Sequence, residues 1–246
     1  MSRSVLPDSP PELVVYDRLS ACPYLPDQVA RLPLRLPLRR LSGRELDDRL
    51  ALGDRRQGVL LYRTACPDCS GCEPLRVDVP QFRERRSMRR TRRRAQAVVR
   101  VEMGPPVADA RRVELYNLHK SGRGLGDGQT PIDLESYSDF LVDTCCPSFE
   151  LRYFVGSELV GVAITDRGAD SLSAVYCYFD PAYQSLGLGT FSILEQIALC
   201  RRLKLRWLYL GLFIAQNEVM RYKAGFLPHE RLIGGDWRRY EQPQRS

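Results

Sequence analysis

The alternation of apolar and polar positions predicts a series of strands in the second half of the chain. Val160–Thr165 and Leu172–Phe179 are rich in β-branched and aromatic residues, and the polar segment Asp166–Asp170 between them predicts a hairpin. Residues 206–214 are almost all apolar and predict a buried strand. Before this strand, apolar residues recur at helical spacing, at Leu194, Ile197, Ala198 and Leu205. The pattern therefore predicts the order strand, strand, helix, strand.

Weaker patterns divide the chain into two predicted domains. Further helices are predicted at residues 108–120, at residues 133–144 after the glycine-rich connection 121–128, and in a short segment opened by Asn217. Prolines are frequent in the N-terminal portion, which predicts loops and short strands there instead of long helices. Met103–Val107 contains a glycine and two prolines and marks the expected boundary. We therefore expect an N-terminal domain at residues 1–104 and a C-terminal domain at residues 105–246.

The segment Gln184-Ser-Leu-Gly-Leu-Gly-Thr190 joins the second predicted strand to the helix. Gly187 and Gly189 leave the backbone open to a ligand, and the free N–H groups of the helix that Thr190 begins would face an anion. The pattern Gln-x-x-Gly-x-Gly resembles the phosphate loop of the GNAT acyltransferase superfamily. This resemblance implies an α+β fold, with a GNAT-like core of a mixed sheet and flanking helices, preceded here by a smaller cysteine-containing domain. An ordinary glycine turn is the alternative.

Positive charge is concentrated in one segment. The chain has a net charge of +7, yet residues 83–100 alone carry nine arginines and a single acid, Glu84. In a helix, these arginines form two adjacent rows of like charge at spacing i,i+4, which repel by about 0.2–0.5 kcal/mol per pair. A bound polyanion would remove this repulsion, and arginine suits bidentate phosphate contacts. The segment therefore predicts a nucleic-acid contact, with a solvated basic face as the alternative.

Three cysteines lie on one short loop, Cys66-Pro-Asp-Cys69-Ser-Gly-Cys72. Two overlapping Cys-x-x-Cys spacings supply three of the four soft ligands of a zinc or iron–sulfur site. Cys22, in another proline-rich loop, is the preferred fourth ligand, and the pair Cys145–Cys146 is the second choice. A loop of reduced thiols without metal is equally compatible with the spacing. We expect no cofactor to be required.

The overall composition limits the class of protein. A chain of 246 residues with 43% hydrophobic residues can bury the core of one large or two small domains. No apolar run approaches the about 20 residues of a membrane helix, and Met1–Pro7 lacks a signal-peptide core. We therefore expect a cytoplasmic protein without a membrane partner, whose eight cysteines are thiols or metal ligands and not disulfides.

Several of these motifs together resemble the arginyl-tRNA–protein transferase family. Three segments resemble the N-terminal domain of this family: Cys22-Pro-Tyr-Leu, the cysteine segment from Tyr62-Arg63 to Val77, and the segment Phe82–Arg90. Its C-terminal domain is resembled by Leu186–Thr190 and Met220-x-Tyr-Lys-x-x-Phe-x-Pro. The cysteine pattern is similar to that of the bacterial aspartate/glutamate leucyltransferase branch. In two places the chain departs from the family: Met88 replaces the usual glutamine, and Leu25 replaces a second cysteine of eukaryotic relatives.

The resemblance implies an enzyme that moves an amino acid from aminoacyl-tRNA to the α-amine of proteins with N-terminal Asp or Glu. Leucine is favoured over arginine as the transferred residue, and the product is marked for degradation by the N-degron pathway. No nucleophilic residue is needed, because the ester is already activated and positioning can supply about 7–11 kcal/mol of the barrier. Asp180 is predicted to orient or deprotonate the amine. Tyr178 and Tyr222 are predicted to donate hydrogen bonds to the carbonyl or terminal ribose, with core packing as their alternative.

Substrate binding is assigned to the remaining motifs. The predicted donor-binding residues are Arg85, Arg89, Arg90 and Arg93 for the acceptor stem, and Gln184, Gly187, Gly189, Thr190 and Lys223 for the charged end. An acidic acceptor needs a cation, because a buried carboxylate without a partner is costly. Arg76 is predicted to supply it, with Arg63 and Cys72 nearby; a surface position for Arg76 is the alternative.

Two rival functions remain at this point. A coenzyme-A-dependent N-acetyltransferase accounts for the glycine loop but not for the arginine run. A non-catalytic nucleic-acid-binding protein with a zinc knuckle accounts for the arginines but not for the loop.

Overall fold

The computed structural model describes residues 10–123 and 130–242, which form an α+β structure. The strands are β1 (Glu12–Tyr16), β2 (Leu19–Ala21), β3 (Val29–Arg31), β4 (Leu34–Pro37), β5 (Arg55–Gln57), β6 (Leu60–Tyr62), β7 (Glu73–Asp78), β8 (Val99–Gly104), β9 (Ser148–Val155), β10 (Glu158–Arg167), β11 (Ser171–Phe179), β12 (Trp207–Phe213), β13 (His229–Ile233) and β14 (Asp236–Tyr240). The helices are α1 (Gly43–Ala51), α2 (Arg86–Gln96), α3 (Ala110–Gly122), α4 (Leu134–Tyr137), α5 (Leu188–Arg202) and α6 (Glu218–Arg221). Within the described ranges, no helix is both long enough and apolar enough to cross a bilayer.

A mixed eight-stranded sheet is the centre of the structure. Its strand order is β14-β13-β7-β12-β11-β10-β9-β8. Every neighbouring pair is antiparallel except β11 and β12, which are parallel because α5 carries the chain back across the sheet between them. This parallel pairing covers only Ser171–Ser173 opposite Trp207–Tyr209. Beyond these residues the two strands are not hydrogen-bonded to each other.

Helices cover this sheet on both faces. The side chains of α5 pack with those of β7 and β12 in one apolar cluster that includes Leu194, Ile197 and Leu208. Along β11, Tyr176 and Tyr178 pack with α3 and α4, whereas the neighbouring Cys177 and Phe179 pack with α5. This alternation is the ordinary two-residue period of a strand.

The predicted elements of the second half are confirmed. The hairpin corresponds to β10 and β11, the helix after the glycines to α5, the apolar run to β12, and the short helix to α6. The helix predicted at 133–144 is divided into α4 and a π-helical turn at Ser138–Val142. Part of the glycine-rich connection predicted at 121–128 lies outside the described residues.

The N-terminal portion contains short strands, as predicted, and also one nine-residue helix, α1, that was not predicted. Strands β1, β4, β6 and β5 form a four-stranded sheet, and β2 and β3 form a two-stranded one. The boundary at residues 104 and 105 stays a prediction. Strands β7 and β8, which precede it, both belong to the eight-stranded sheet.

Candidate active site

A cavity of about 380 Å³ lies where β11 and β12 separate. Strand β11 contributes residues 174–177 and Phe179 to its lining, and β12 contributes Leu210 and Leu212. All of them lie beyond Ser173 and Tyr209, the last residues at which the two strands are paired. The cavity therefore occupies the gap that opens when a parallel pair diverges.

The start of α5 forms one wall of this cavity. Gly189, Ser192 and Gln196 line it, so the glycine loop predicted to hold the donor does open on a cavity. Gly187 caps the helix with a left-handed φ of 68°, a conformation that favours glycine. A Cβ atom there would lie 2.8 Å from Cγ2 of Thr91 and 3.6 Å from Nη2 of Arg94. The glycine loop is thus in contact with the arginine-rich helix α2.

Lys223 and Tyr222 line the cavity from the segment after α6. The Nζ atom of Lys223 donates a hydrogen bond to the carbonyl oxygen of Leu212 at 2.7 Å. Burial, together with the charge of Arg55, lowers the pKa of Lys223 to about 7, so the amine is partly neutral at physiological pH. Tyr222 is 49% exposed, and its phenol, whose ordinary pKa is 10, stays protonated at pH 7 and able to donate a hydrogen bond.

The N-terminal portion supplies further lining residues. Tyr24, Arg55 and Tyr62 line the cavity. The Nδ2 atom of Asn217 donates a hydrogen bond to the carbonyl oxygen of Tyr24 at 3.1 Å, which joins the loop containing Tyr24 to the start of α6. Residues from both ends of the chain therefore form a single site.

The charges around the cavity are of one sign. Among the lining residues in the described ranges there are three arginines and Lys223, and there is no aspartate or glutamate. Arg56 is buried in an ion pair with Asp166, at 2.8 and 3.0 Å. Within the same ranges Arg55 and Arg123 have no ion pair. Such a cavity favours an anionic ligand.

His119 also lines the cavity and is 3% exposed. Burial lowers its pKa to about 4, and the nearby charges of Arg123 and Lys120 act in the same direction. The imidazole is therefore neutral at pH 7.

The arginine-rich segment is helical over Arg86–Gln96, which is α2. Met88 and Ala95 face the core, which explains how an apolar residue is accommodated at position 88. Arg92 pairs with Glu84 at 2.7 Å, and Arg89 donates to the carbonyl oxygen of Glu84 at 2.6 Å. The exposed arginines of α2 whose side chains have neither an ion pair nor a hydrogen bond in the described ranges are Arg86, Arg90, Arg93 and Arg94. The partly buried Arg85 precedes the helix as its N-cap.

Several predicted site residues lie outside the cavity. Tyr178 is fully buried, and its hydroxyl group is hydrogen-bonded to that of Tyr137. Asp180 caps the 3₁₀ turn at Pro181–Leu186, accepting a hydrogen bond from the N–H of Ala182 at 2.8 Å. Gln184 is exposed in that turn, and Thr190 is half-buried on α5 without lining the cavity. Of the predicted catalytic and donor-binding residues, those in the cavity lining are Gly189, Tyr222 and Lys223.

Two predicted acceptor-binding arginines already have partners. Arg76 donates to Glu230 at 2.9 and 2.7 Å, and its guanidinium lies 3.9 Å from the ring centroid of Trp207 and 4.0 Å from that of Trp237. Arg63 pairs with Asp54 at 2.9 Å. Neither arginine lines the cavity, and an acceptor-binding role for either stays a prediction.

The cysteine loop lies next to the cavity. Burial and, to a smaller extent, the nearby thiols of Cys22, Cys66 and Cys69 together raise the pKa of Cys72 to about 12. Cys72 in turn contributes to the raised pKa of Tyr24, a lining residue. In the described parts of the chain, no group of three or more His, Cys, Asp or Glu side chains has the arrangement of a metal site. A metal or cluster stays a prediction, and no step of the reaction proposed below uses one.

The second choice for a fourth ligand lies elsewhere. Cys145 and Cys146 are buried in an apolar cluster beside α1. Charges from Asp166 and Arg56 act on both thiols. Their surroundings are therefore those of the Arg56–Asp166 ion pair and not those of the cysteine loop.

Comparison with known proteins gives the family. The profile described as "Arginine-tRNA-protein transferase, N terminus" matches residues 20–90, and "Arginine-tRNA-protein transferase, C terminus" matches residues 111–233. The chain belongs to the arginine-tRNA-protein transferase family. An aspartate/glutamate leucyltransferase of Chromobacterium violaceum is 35% identical over 88% of this chain and 89% of its own length. One from Halorhodospira halophila is 37% identical over 89% of this chain and 94% of its own length.

A solved structure, that of L-PGS from Bacillus licheniformis, is similar with a TM-score of 0.43 and 11% identity, over 61% of this chain and 49% of the other. Within the transferase family's two matched regions, the first contributes Tyr24, Arg55 and Tyr62 to the cavity, and the second contributes its strands, α5 and Lys223.

The lining residues that the sequence did not assign to the site include Tyr24, Arg55, His119 and Arg123. Nothing in their local sequence distinguishes them from residues of any surface strand or helix end. One usable signal was Gly211, a glycine inside an apolar strand, which is typical of a site where another group approaches the backbone closely.

Proposed function

We propose that this protein transfers leucine from aminoacyl-tRNA to the α-amine of proteins that begin with aspartate or glutamate. Family membership and the names of the relatives support this activity. The observation that carries the proposal is the cation-lined cavity in the gap between β11 and β12, next to the start of α5. Both the ester-linked tRNA end and an acidic acceptor are anionic, and both would be attracted there.

The donor tRNA binds along α2. The four exposed arginines whose side chains have no partner in the described ranges, Arg86, Arg90, Arg93 and Arg94, meet backbone phosphates, which gives sequence-independent and salt-sensitive affinity. Because Thr91 and Arg94 of this helix contact Gly187, a tRNA end that follows α2 arrives at the glycine loop. From there the aminoacyl group enters the cavity past Gly189.

Lys223 acts as the base in the transfer step. The α-amine nitrogen of the acceptor attacks the carbonyl carbon of the ester, the bond from that carbon to the ribose oxygen breaks, and an amide forms. The amine loses a proton to the neutral Nζ of Lys223, and the departing ribose oxygen gains a proton. A pKa near 7 suits both halves of this exchange, since the same group can accept a proton and return it. Tyr222 donates a hydrogen bond to the carbonyl or to the ribose oxygen.

Two further statements belong to the same proposal. The core is GNAT-like, which is supported by the diverging parallel pair β11 and β12 with α5 between them in sequence. The reaction takes place in the cytoplasm, where charged tRNA is available, and its products enter the N-degron pathway.

The test is an incubation of the purified protein with peptides that begin with Asp, Glu, Lys or Ala, in the presence of a total pool of charged tRNA. Mass spectrometry should find one added leucine on the Asp and Glu peptides alone. Added arginine would correct the donor. Acetyl transfer from acetyl-CoA, with no aminoacyl transfer to any peptide, would replace the proposed function with the acetyltransferase alternative.

A further inference from the structure

Arg55 differs from its neighbours Asp54 and Arg56 because, in the described ranges, its guanidinium has no ion pair. Asp54 pairs with Arg35 at 2.6 Å and with Arg63 at 2.9 Å, and Arg56 is buried with Asp166. In the described part of the chain, Arg55 has no ion pair and no side-chain hydrogen bond, and it lines the cavity. An arginine kept unpaired in a concave site is available to bind an anion.

Strand β12 is shaped to accept this guanidinium. Gly211 has a left-handed φ of 79° and lies at an irregularity in the pairing of β12 with β7. A Cβ atom at this position would be 2.3 Å from Nη1 of Arg55 and 2.6 Å from its Cζ. Only glycine therefore lets the guanidinium rest directly on the strand. The guanidinium of Arg55 therefore lies against the backbone of β12, and in the described part of the chain no ion pair holds it there.

Arg55 is close enough to Lys223 for its charge to affect the lysine. The charge of Arg55 contributes to the lowered pKa of Lys223, after burial. In an N-terminal aspartate or glutamate, the α-amine and the side-chain carboxylate are separated by only two or three bonded carbon atoms. A site for such a residue must hold the base for the amine and the cation for the carboxylate on the same side of the cavity.

We propose that Arg55 is the residue that binds the side-chain carboxylate of the acceptor's first residue. The inference rests on the proposed function, and it identifies the determinant of acceptor specificity within that function. Two N–H groups of the guanidinium bind the two carboxylate oxygens, and Lys223 receives the proton of the amine. A neutral first residue leaves the guanidinium unpaired and desolvated, so it is discriminated against.

Other arginines fit this role less well. Arg76 is paired with Glu230 and held between two tryptophan rings, outside the cavity. Arg123 lines the cavity without an ion pair in the described ranges, but its charge acts on His119, Tyr176 and Tyr222 and not on Lys223. Arg123 is therefore the matched control for Arg55.

The test compares peptides that begin with Asp and with its neutral isostere Asn, at saturating charged tRNA. For the wild-type protein we expect kcat/KM for the Asp peptide to exceed that for the Asn peptide by about a hundredfold or more. Arg55→Met should reduce this ratio to about threefold or less, because kcat/KM should fall for the Asp peptide and change little for the Asn peptide. Arg55→Lys should give an intermediate ratio, because it keeps the charge but not the fork of donors. Arg123→Met should change kcat/KM for both peptides by the same factor, so that the Asp/Asn ratio stays that of the wild type.

Three results would be decisive against the assignment or its basis. If Arg55→Met and Arg55→Lys both retain the wild-type Asp/Asn ratio, Arg55 does not select the acceptor. If both peptides lose activity together and the KM for charged tRNA rises, Arg55 binds a donor phosphate instead. If the wild-type protein transfers leucine to no peptide, the proposed function itself has failed, which is a different outcome from a changed ratio. Should Arg55→Met unfold, the Arg55→Lys ratio alone decides, since lysine keeps the charge on the same strand.

Discussion

Replacing Lys223 with methionine should abolish the base of the transfer step while keeping a side chain of similar length in the same space. The Nζ atom of Lys223 donates hydrogen bonds to the carbonyl oxygen of Leu212 at 2.7 Å and to the sulfur of Met220 at 3.1 Å. Methionine is flexible and apolar and can fill this position. Removing a general base typically reduces a rate by about 10²–10⁴-fold, so we expect the single-turnover rate to fall by at least about a hundredfold at pH 7.

The size of the effect follows from the position of the pKa. At a pKa of about 7, roughly half of the Lys223 side chains are neutral at pH 7. At the ordinary value of 10.5, the neutral fraction would be about three in ten thousand. Burial therefore increases the concentration of the competent base by about a thousandfold, which corresponds to about 4 kcal/mol.

The lowered pKa of Lys223 favours the reaction but reduces the stability of the folded protein at pH 7. Between pH 7 and 10.5 the unfolded chain binds a proton at Lys223 that the folded protein releases, so folding becomes more favourable as pH rises through this window. At pH 7 the buried lysine destabilises the folded state by up to about 4 kcal/mol. Methionine removes this penalty but leaves the Leu212 carbonyl without its donor, at about 1–3 kcal/mol. We therefore expect Lys223→Met to be the more stable protein at pH 7, by about 1–3 kcal/mol.

The assay is the single-turnover transfer rate from pH 5.5 to 8.5, together with urea unfolding at pH 7 and 9. Below pH 6.5 two groups must lose a proton in the wild-type reaction, Lys223 and the acceptor amine, so the logarithm of the rate should rise with a slope of 2. In Lys223→Met only the amine titrates, and the slope should be 1. Lys204→Met, at an exposed lysine just after α5, is the matched control and should behave as wild type. An unchanged slope with a rate within threefold of wild type would refute the assignment of Lys223 as base.

Three other predictions test the remaining parts of the site. Changing Arg86, Arg90, Arg93 and Arg94 together to glutamine should weaken tRNA binding and reduce the dependence of log affinity on log salt by about three units, while the KM for the peptide stays constant. His119 should cost the folded protein up to about 3 kcal/mol of stability as pH falls from 6.5 to 4, because the unfolded state protonates this histidine first; His119→Gln should remove this share of the loss in urea titrations, while His229, whose pKa burial also lowers to about 4, keeps its own share. Asp180→Asn should keep the transfer rate, because the amide oxygen still accepts from the N–H of Ala182, whereas a hundredfold loss would support the role in amine deprotonation predicted from sequence.

Local signals in the sequence were sufficient to predict the elements on either side of the glycine loop. Gly187 followed by apolar residues at helical spacing predicts a turn and α5, and both depend only on neighbouring residues. Tyr178 shows the limit of such reasoning. Side chains alternate across a strand, so a shift of one position decides whether a residue faces α5 or α3. Tyr178 packs with Tyr137, whereas Tyr176 on the same face and Cys177 on the other face both line the cavity, and the composition of β11 does not indicate this difference.

Contacts between distant parts of the chain are the other reason why the structure differs from what the sequence predicts. Arg76 pairs with Glu230, which is 154 residues away, and both belong to strands that are neighbours only in the folded sheet. Arg55 reaches the cavity because Gly211 of another strand leaves room for its guanidinium. Spacing along the sequence contains no information about such partners. The sequence therefore predicted Arg76 as the acceptor-binding cation, because Arg76 lies next to the cysteine loop in the sequence.

The position of β7 links acceptor selection to the transfer chemistry. This strand lies between β13 and β12, and its residues Leu75 and Val77 are fully buried. It belongs to the first region matched by the family, whereas its two neighbours belong to the second. The pairing of β7 with β12 also contains the irregularity at Gly211 on which Arg55 rests. Arg55, which is proposed to bind the acceptor's carboxylate, thus lies against the same strand whose Leu212 carbonyl oxygen accepts the hydrogen bond of Lys223. A change in the register of β12 would therefore move Arg55 and the proposed base Lys223 together.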